Sequence, residues 1–426
     1  MKRLAAILIP AAVVLSGLVG TSVARAAGTT LYVGAAGSGS GGCVLPAYTS
    51  VQSAVDAAAS GDTVFLCGTT PFAEQVFVNK KVTLTGTPGA TLASPATAAG
   101  FAAASSSRFP SQFQTDGLFA PQAILIATGT TAHLTLKGIT VAGPLPGNGG
   151  CGEDEYGVLV IAGASAHLTH DTVRDIHDIN PSLYGCQFGV GIQVGREYWP
   201  TAAFTAFKVE NFVGQGQIDN TGVAGYQKNG MTIDGTGSSG LVQHSAVTGS
   251  GRDALFAPTI AQNGVQISRG ATGQVSTTTV SDNTYTGAGF ASAGGILVFG
   301  GCGDPLTPHV SIVGNTLVNN DVGIYLNNYD PSCSAPAPSP TSDQARNNNI
   351  SNDAVTNTSG YCTTTCPGEG YQAGIDDIGN GDTIAKNAIS GAGYAHADPP
   401  PAFVRPIDTT SFPTIDPELS GNTFTL

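Results

Sequence analysis

Charge is scarce in this sequence: Asp, Glu, Lys and Arg together make up 11% of 426 residues, and there are two methionines and one tryptophan. A mostly helical protein is excluded, because helices draw heavily on Glu, Lys, Arg and Met. Basic residues are scarcer still, with 16 Lys and Arg against 29 Asp and Glu and a formal charge of −13. A surface of that sign makes DNA, RNA and anionic lipid poor partners. It also disfavours polyanionic sugars unless a bound cation or a local Lys/Arg cluster reverses it. After the first 26 residues no long apolar run occurs, so no membrane-spanning helix is expected there. What abounds is glycine, 58 residues, with Ser, Thr, Asn and Ala, the composition of many short strands joined by tight turns.

The chain opens on Met1-Lys2-Arg3, runs apolar from Leu4 to Val19 and reaches Ala24-Arg25-Ala26. That pattern predicts a secretory signal peptide over 1–26 and an extracellular mature chain from Ala27, with no membrane insertion. Losing Lys2, Arg3 and Arg25 takes the formal charge from −13 to −16. All eight cysteines lie in the mature part, and in an exported chain disulfides are expected before metal. Their order suggests Cys43 with Cys67, Cys151 with Cys186, Cys302 with Cys333 and Cys362 with Cys366. The last pair lacks the C-x-x-C redox spacing.

Two short motifs recur. The first is Gly-apolar-x-apolar: Gly157-Val158-Leu159-Val160, Gly191-Ile192-Gln193-Val194, Gly230-Met231-Thr232-Ile233, Gly264-Val265-Gln266-Ile267, Gly295-Ile296-Leu297-Val298, Gly323-Ile324-Tyr325-Leu326 and, less cleanly, Gly374-Ile375-Asp376. Between copies a small polar residue precedes an aliphatic one by two positions: Asp171-Thr172-Val173, Asn211-Phe212-Val213, Ser245-Ala246-Val247, Thr278-Thr279-Val280, Asn315-Thr316-Leu317, Asp353-Ala354-Val355 and Asn387-Ala388-Ile389. Six steps cover 216 residues, a mean of 36 per repeat.

Such a repeat holds two or three short strands whose alternation turns one apolar side chain of each pair inward. A single rung cannot bury that inner face. Stacking rungs about 4.8 Å apart buries it continuously and lines the polar residues into a ladder at a turn. The expected fold is an all-β, single-domain right-handed parallel β-helix. A propeller blade has comparable length but gives no reason for the ladder, and no Trp-Asp or Gly-His signature occurs. Cys151 and Cys186, and Cys302 and Cys333, are each about one rung apart, as a disulfide between neighbours needs. The domain spans 27–426: an N-terminal cap with the first rungs over 27–87, main rungs over 123–395 and a C-terminal tail or cap over 396–426.

Ser50 to Ala59 reads as a short amphipathic capping helix with Val51, Ala54, Val55 and Ala58 on one face. Leu31-Tyr32-Val33, this helix, Gly61-Asp62-Thr63-Val64 and then Val82-Thr83-Leu84-Thr85-Gly86 together resemble the N-terminus of the pectate-lyase-like superfamily of β-helix proteins. That resemblance implies the fold and the cap. The superfamily spans lyases, hydrolases, esterases, epimerases, tailspikes and binding proteins, so it fixes no reaction.

Polygalacturonase-like members place aspartates just before the Gly-x-x-Ile strand and carry Gly-His-Gly and Arg-Ile-Lys. Here those positions hold Glu155-Tyr156, Lys228-Asn229, Gln262-Asn263 and Asp321-Val322, neither downstream motif occurs, and Asp376-Asp377 falls inside the strand. The Asp-Phe-x-x-Gly and Gly-Arg-Pro-Trp elements of pectin esterases are also missing. Two clusters carry suitable chemistry. Glu153-Asp154-Glu155 is the densest acidic run, with Lys228 two rungs on, roughly 10 Å by the rung spacing. A calcium-dependent lyase needs such acids and a Lys or Arg base, although a solvated acidic loop is the simpler interpretation. Arg196-Glu197-Tyr198-Trp199 is an insertion, followed on later rungs by Asp234 and Arg269 with Arg252-Asp253 between them. Arg196, Glu197 and Trp199 suit a sugar ring, by stacking and hydrogen bonding; packing of Trp199-Pro200 onto the helix is the plainer alternative.

The catalytic candidates are therefore Asp154, Glu155, Lys228, Asp234, Arg252, Asp253 and Arg269. The expected function is a secreted carbohydrate-active protein, a polysaccharide lyase or glycoside hydrolase working in a groove of the helix. The alternative is a non-catalytic extracellular glycan-binding or surface-associated protein. No cofactor is assigned, calcium being left open, and no residue is assigned as a metal ligand. Oligomeric state is not legible.

Overall fold

The computed structural model describes residues 28–103, 105–111, 120–147, 149–151, 155–198, 210–252, 255–287, 291–353, 372–395, 405–408 and 418–425. Within them the strands form three parallel sheets, of twelve, eleven and ten strands, and one antiparallel pair, Arg196–Tyr198 against Glu210–Phe212. The chain visits the sheets in a fixed order. Glu155–Ile161 joins the ten-stranded sheet, Ala164–Thr169 the twelve-stranded and Thr172–Arg174 the eleven-stranded; the next rung then begins at Val190–Val194. This is the right-handed parallel β-helix expected from the repeat.

Alternation along each strand fills the interior. Val158, Ile192, Met231, Val265, Ile296, Ile324 and Ile375 stack from the ten-stranded sheet, and Val173, Val223, Val247, Val280, Leu317, Ile350 and Ile389 from the eleven-stranded; all are essentially inaccessible. The glycines opening the first motif form a column because there is no room for a side chain. A Cβ at Gly157, Gly191, Gly230, Gly264, Gly295 or Gly323 would lie 2.4–2.6 Å from the carbonyl oxygen of the next glycine in the column. The helix Val51–Ala57 lays Val51, Ala54 and Val55 on the first rungs. Ser50 caps it by accepting from the Ser53 N–H, and the Glu74 carboxylate accepts from the Val51 and Gln52 N–H groups at 2.7 and 3.0 Å.

Between the twelve- and eleven-stranded sheets the chain turns in two residues. The first adopts a left-handed conformation, as at His170, Asn220, His244, Thr277, Asn347 and Lys386. The second is the ladder. Asn315, Asn348, Asn387 and Asn422 stack so that each Oδ1 accepts both the backbone N–H and Nδ2 of the preceding asparagine at 2.9–3.0 Å. Each Nδ2 also donates to a strand carbonyl, those of Val275, Ile312, Ala345 and Ile384. Thr221, Ser245 and Thr278 continue the column toward Asp171. The structure corrects the repeat at two places: Thr221 and Asn348 occupy the ladder, not Asn211 and Asp353. Asn211 lies in the antiparallel insertion, and Asp353 follows the strand Asn349–Ser351. The steps between ladder residues vary from 24, between Thr221 and Ser245, to 50, between Asp171 and Thr221, because loop length varies, which is why a fixed period misplaces both.

Cys43–Cys67, Cys151–Cys186 and Cys302–Cys333 are bonded, the last two between neighbouring rungs. Cys362 and Cys366 lie outside the described residues. Within 396–426, the expected tail, Arg405–Asp408, Glu418–Ser420 and Thr423–Thr425 add one strand to each of the three sheets. No helix among the described residues is long and apolar enough to cross a membrane.

Candidate functional site

Of the residues singled out by sequence, Asp234 and Arg269 meet at one end of the outer face of the ten-stranded sheet. With Ile192, Met231, Ile233, Val265 and Ile267 turned inward, the intervening Gln193, Thr232 and Gln266 turn outward in register. Asn229 sits beside Asn263, and Asp234 beside Ser268. Apart from Gln193, whose Nε2 donates to the Gly195 carbonyl at 2.7 Å, they form one continuous hydrogen-bonded network. Asn263 Nδ2 donates to Asn229 Oδ1 at 3.1 Å, and Asn229 Nδ2 donates to Thr232 Oγ1 and Gln266 Oε1, both at 2.9 Å. Gln266 Nε2 donates to Ser268 Oγ at 2.8 Å, whose hydroxyl donates to Asp234 Oδ1 at 2.7 Å. Arg269 closes it, reaching Asp234 at 3.0 Å and Asp304 at 3.2 Å.

This arrangement changes what Asp234 can do. Both its oxygens are engaged by the guanidinium and one also by the hydroxyl, in a position 3% exposed, which suits an anchor better than a proton carrier. Arg269 bridges two carboxylates and is committed likewise. Lys228 precedes the strand that Asp234 ends, so six residues of extended chain, about 20 Å, separate them. The two do not converge. Lys228 donates from Nζ to the Ala261 carbonyl at 2.7 Å, and burial pushes its ammonium down to about 8.

Glu155 is buried and pairs in register with Gln122, one rung below the Gly189 that accepts from the Lys228 N–H. Arg196 bonds the Tyr156 hydroxyl and lies 5.3 Å from the centre of that ring. Arg252 is exposed in a loop after the strand Ala246–Thr248. Asp154, Trp199, Asp253 and the side chain of Glu197 lie outside the described residues. Toward the N-terminus the same face is apolar: Phe77, Ile126, Tyr156, Leu159 and Ile161 cluster there, with Phe109 edge-on to Phe77 at 5.1 Å. Among the described residues no three His, Cys, Asp or Glu side chains are grouped to hold a metal ion.

Sequence reasoning missed the outer face of the twelve-stranded sheet. A cavity of about 630 Å³ runs there across six rungs. Lys81, His133, Ser165, Gln215, Ser239 and Thr272 form one column of its lining; Thr135, His167, Gln217, Leu241 and Gln274 form the next. His133 Nδ1 lies 2.7 Å from Ser165 Oγ. The inward column of these strands shrinks from Leu134 to Ala166 to Gly216, Gly240 and Gly273. Side chains of the opposite sheet fill the space vacated: a Cβ on Gly216, Gly240 or Gly273 would lie 2.6, 2.3 or 2.8 Å from Val194, Ile233 or Ile267. The sheet thus sinks toward the axis and its outer surface becomes concave. The usable signal was polar-small-polar-aliphatic, as in Gln215-Gly216-Gln217-Ile218 and Thr272-Gly273-Gln274-Val275.

No family model matches the sequence, and no curated protein matches it significantly. Among solved structures, it is similar to an alginate lyase from Paenibacillus sp., at 12% identity and TM-score 0.44 over 93% of this chain and 99% of that one. It is also similar to the Dettilon tailspike protein, at 12% identity and TM-score 0.47 over 87% of this chain and 63% of that one. A pectin methylesterase crystallised with a hexasaccharide matches at 9% identity and TM-score 0.31, over 86% and 80% of the two chains. Likeness at this level concerns architecture. In architecture the chain is a right-handed parallel β-helix.

Proposed function

We propose that the chain is a secreted carbohydrate-active protein that holds a polysaccharide along the groove of the twelve-stranded sheet. The groove carries this reading: an open, elongated channel offering amides, hydroxyls and imidazoles on successive rungs. A polyol chain presents hydroxyl donors and acceptors at a regular repeat, which such a ladder can match along its length. The buried network around Asp234 is already satisfied by its own members and fits a scaffold. Affinity electrophoresis and calorimetry against neutral and acidic polysaccharides test the reading, with Gln217→Ala/Gln274→Ala as the groove variant. Binding that weakens about tenfold in the variant, the loss of about 1.4 kcal/mol, supports it. Binding that ignores the variant, or no binding across the panel, overturns it.

A lyase reading is favoured by one observation, the Lys228 amine, whose lowered pKa suits a general base near neutral pH. It predicts a rising absorbance from unsaturated product on uronate chains, with or without calcium, abolished by Lys228→Met. Unchanged turnover in that variant removes Lys228 from the chemistry.

A further inference from the structure

We infer that Asp377 and Asp382 share one proton that ties the last two rungs to the rest of the helix, and that these rungs open as a unit when the proton is withdrawn. The pair lies where the ten-stranded sheet turns into the twelve-stranded one. Asp377 ends the strand Ala373–Asp377 and Asp382 precedes Thr383–Ala385; they are 2% and 0% exposed. Asp382 Oδ1 accepts from the Asp343 N–H at 2.7 Å and from Thr341 Oγ1 at 2.9 Å, which fastens its rung to the one before. Asp382 Oδ2 is buried and meets no N–H or hydroxyl donor among the described residues. A Cβ on Gly379 would lie 1.8 Å from that oxygen, so the backbone of the turn closes tightly over it. The side chain hydrogen-bonded to Asp382 from within its own rung is another carboxyl, Asp377, whose Oδ1 accepts from the Gly379 N–H at 2.9 Å. Two carboxyl groups make such a bond only while one of them carries a proton.

The titratable groups around the pair are all acids. Asp343, buried on the preceding rung, accepts from the Val310 N–H and from Asn328 Nδ2 at 2.8 and 3.0 Å. Asp376 adjoins Asp377 in its strand, and on the last rung Glu418 is exposed, its N–H donating to the Asp382 carbonyl. Among the described residues Asp343, Asp377 and Asp382 form no ion pair with a lysine, arginine or histidine. Ionising both members of the pair would therefore leave two buried charges with nothing to offset them, and burial accordingly raises both carboxyls above their ordinary range. A solenoid rung is held by its neighbours alone. Repulsion released between the rung that ends at Asn349–Ser351 and the rung that begins at Ala373–Asp377 loosens what lies beyond it, the six strands from Ala373 to Thr425.

The test follows hydrogen exchange of the full chain by mass spectrometry between about pH 5 and pH 8, corrected for the intrinsic pH dependence of amide exchange. Because the closed rungs hold a proton that the opened rungs release, protection of strands 373–425 should fall about tenfold per pH unit for that proton. These strands should become open to exchange while strands 155–328 are still protected. Asp382→Asn supplies an amide donor to the Asp377 carboxylate in place of the proton, and Asp377→Asn does the same with the roles exchanged. In either variant the slope should lose that tenfold per unit, whereas Glu418→Gln, an exposed acid on the last rung, should leave it unchanged. The infrared difference between the native chain and an asparagine variant at about pH 7 should contain the carbonyl stretch of a protonated carboxyl, which exposed acids no longer show there. A difference containing ionised carboxylate alone, or equal slopes in the native chain and both asparagine variants, overturns the shared proton. Simultaneous loss of protection in both regions overturns the opening of the last rungs as a unit.

Discussion

Replacing Asn348 by alanine removes one link of the ladder and leaves its neighbours facing a methyl group. Four bonds are lost: Oδ1 accepts from the Asn315 N–H and Nδ2 at 2.9 and 3.0 Å, and Nδ2 donates to the Ile312 carbonyl at 3.0 Å and to Asn387 Oδ1 at 2.9 Å. Two of the four groups keep another partner, since Asn315 Nδ2 still reaches Val275 O and Asn387 Oδ1 still accepts the N–H of residue 348. Burial without a partner costs about 1–3 kcal/mol for each of the other two groups and each remaining bond contributes about 1, so the total is about 4–8 kcal/mol. With an unfolding entropy of about 2 cal/mol/K per residue over a mature chain of about 400, the midpoint falls by about 5–10 °C. Asp353→Ala is the control, because a fixed period places Asp353 in the ladder while the structure leaves it exposed. That change should stay within about 0.5 kcal/mol. Thermal scans by circular dichroism at matched rates decide between them. A loss for Asp353→Ala as large as that for Asn348→Ala would refute the register.

Arg269→Met leaves Asp234 buried without its cation and should destabilise by about 3–5 kcal/mol, whereas the exposed Arg252→Ala changes the denaturant midpoint little. Burial, and then the mutual repulsion of the group, raises Asp343 to about 9 and Asp377 well above the carboxylate range, with Asp382 raised by burial. Because these folded-state values exceed the unfolded value of about 3.9, the folded protein retains protons that the unfolded chain has released. Their stabilising contribution is complete below about pH 4 and is lost as pH climbs toward 9. Asp171, raised to about 7 by burial, acts in the same direction up to that pH. Thermal midpoints should fall between mildly acidic and mildly alkaline buffer, and Asp382→Asn should flatten the profile; a midpoint rising with pH contradicts the assignment. Gly240→Ala places a methyl 2.3 Å from Ile233 Cγ1. The strand must move outward, costing about 1–3 kcal/mol and making the groove shallower, which weakened glycan binding in the folded variant would report.

Much of the fold was legible because it is periodic. The Gly-apolar-x-apolar motif marks the ten-stranded sheet at all seven copies, since close backbone approach dictates glycine there whatever loops intervene. The ladder was less legible: Thr221 and Asn348 carry too little identity to compete with better-looking decoys in an insertion and just beyond a strand. The site was least legible. Asp234 and Arg269 attracted notice as opposite charges on consecutive rungs, and the structure does join them, but in an ion pair that uses up both. Charge in the sequence marks residues with something to neutralise, and here neutralisation comes from within the fold. Lys228 and Asp234 illustrate a second limit, for two positions six residues apart on one strand are farther apart than positions a whole rung apart in sequence.

In a solenoid, the shape of an outer face is set by the residues that point away from it. Along the twelve-stranded sheet the inward column reads Val82, Leu134, Ala166, Gly216, Gly240, Gly273 and then Val310, where bulk returns. The groove starts over Val82 and Leu134, continues over Ala166 and the three glycines, and ends before the rung where Val310 replaces glycine. Outward residues beyond that limit, such as Ser311 and Gln344, are as polar as those within it, yet they line no part of the cavity. Replacing one of the three glycines tests this dependence of depth on volume while leaving the polar side chains of the lining unaltered.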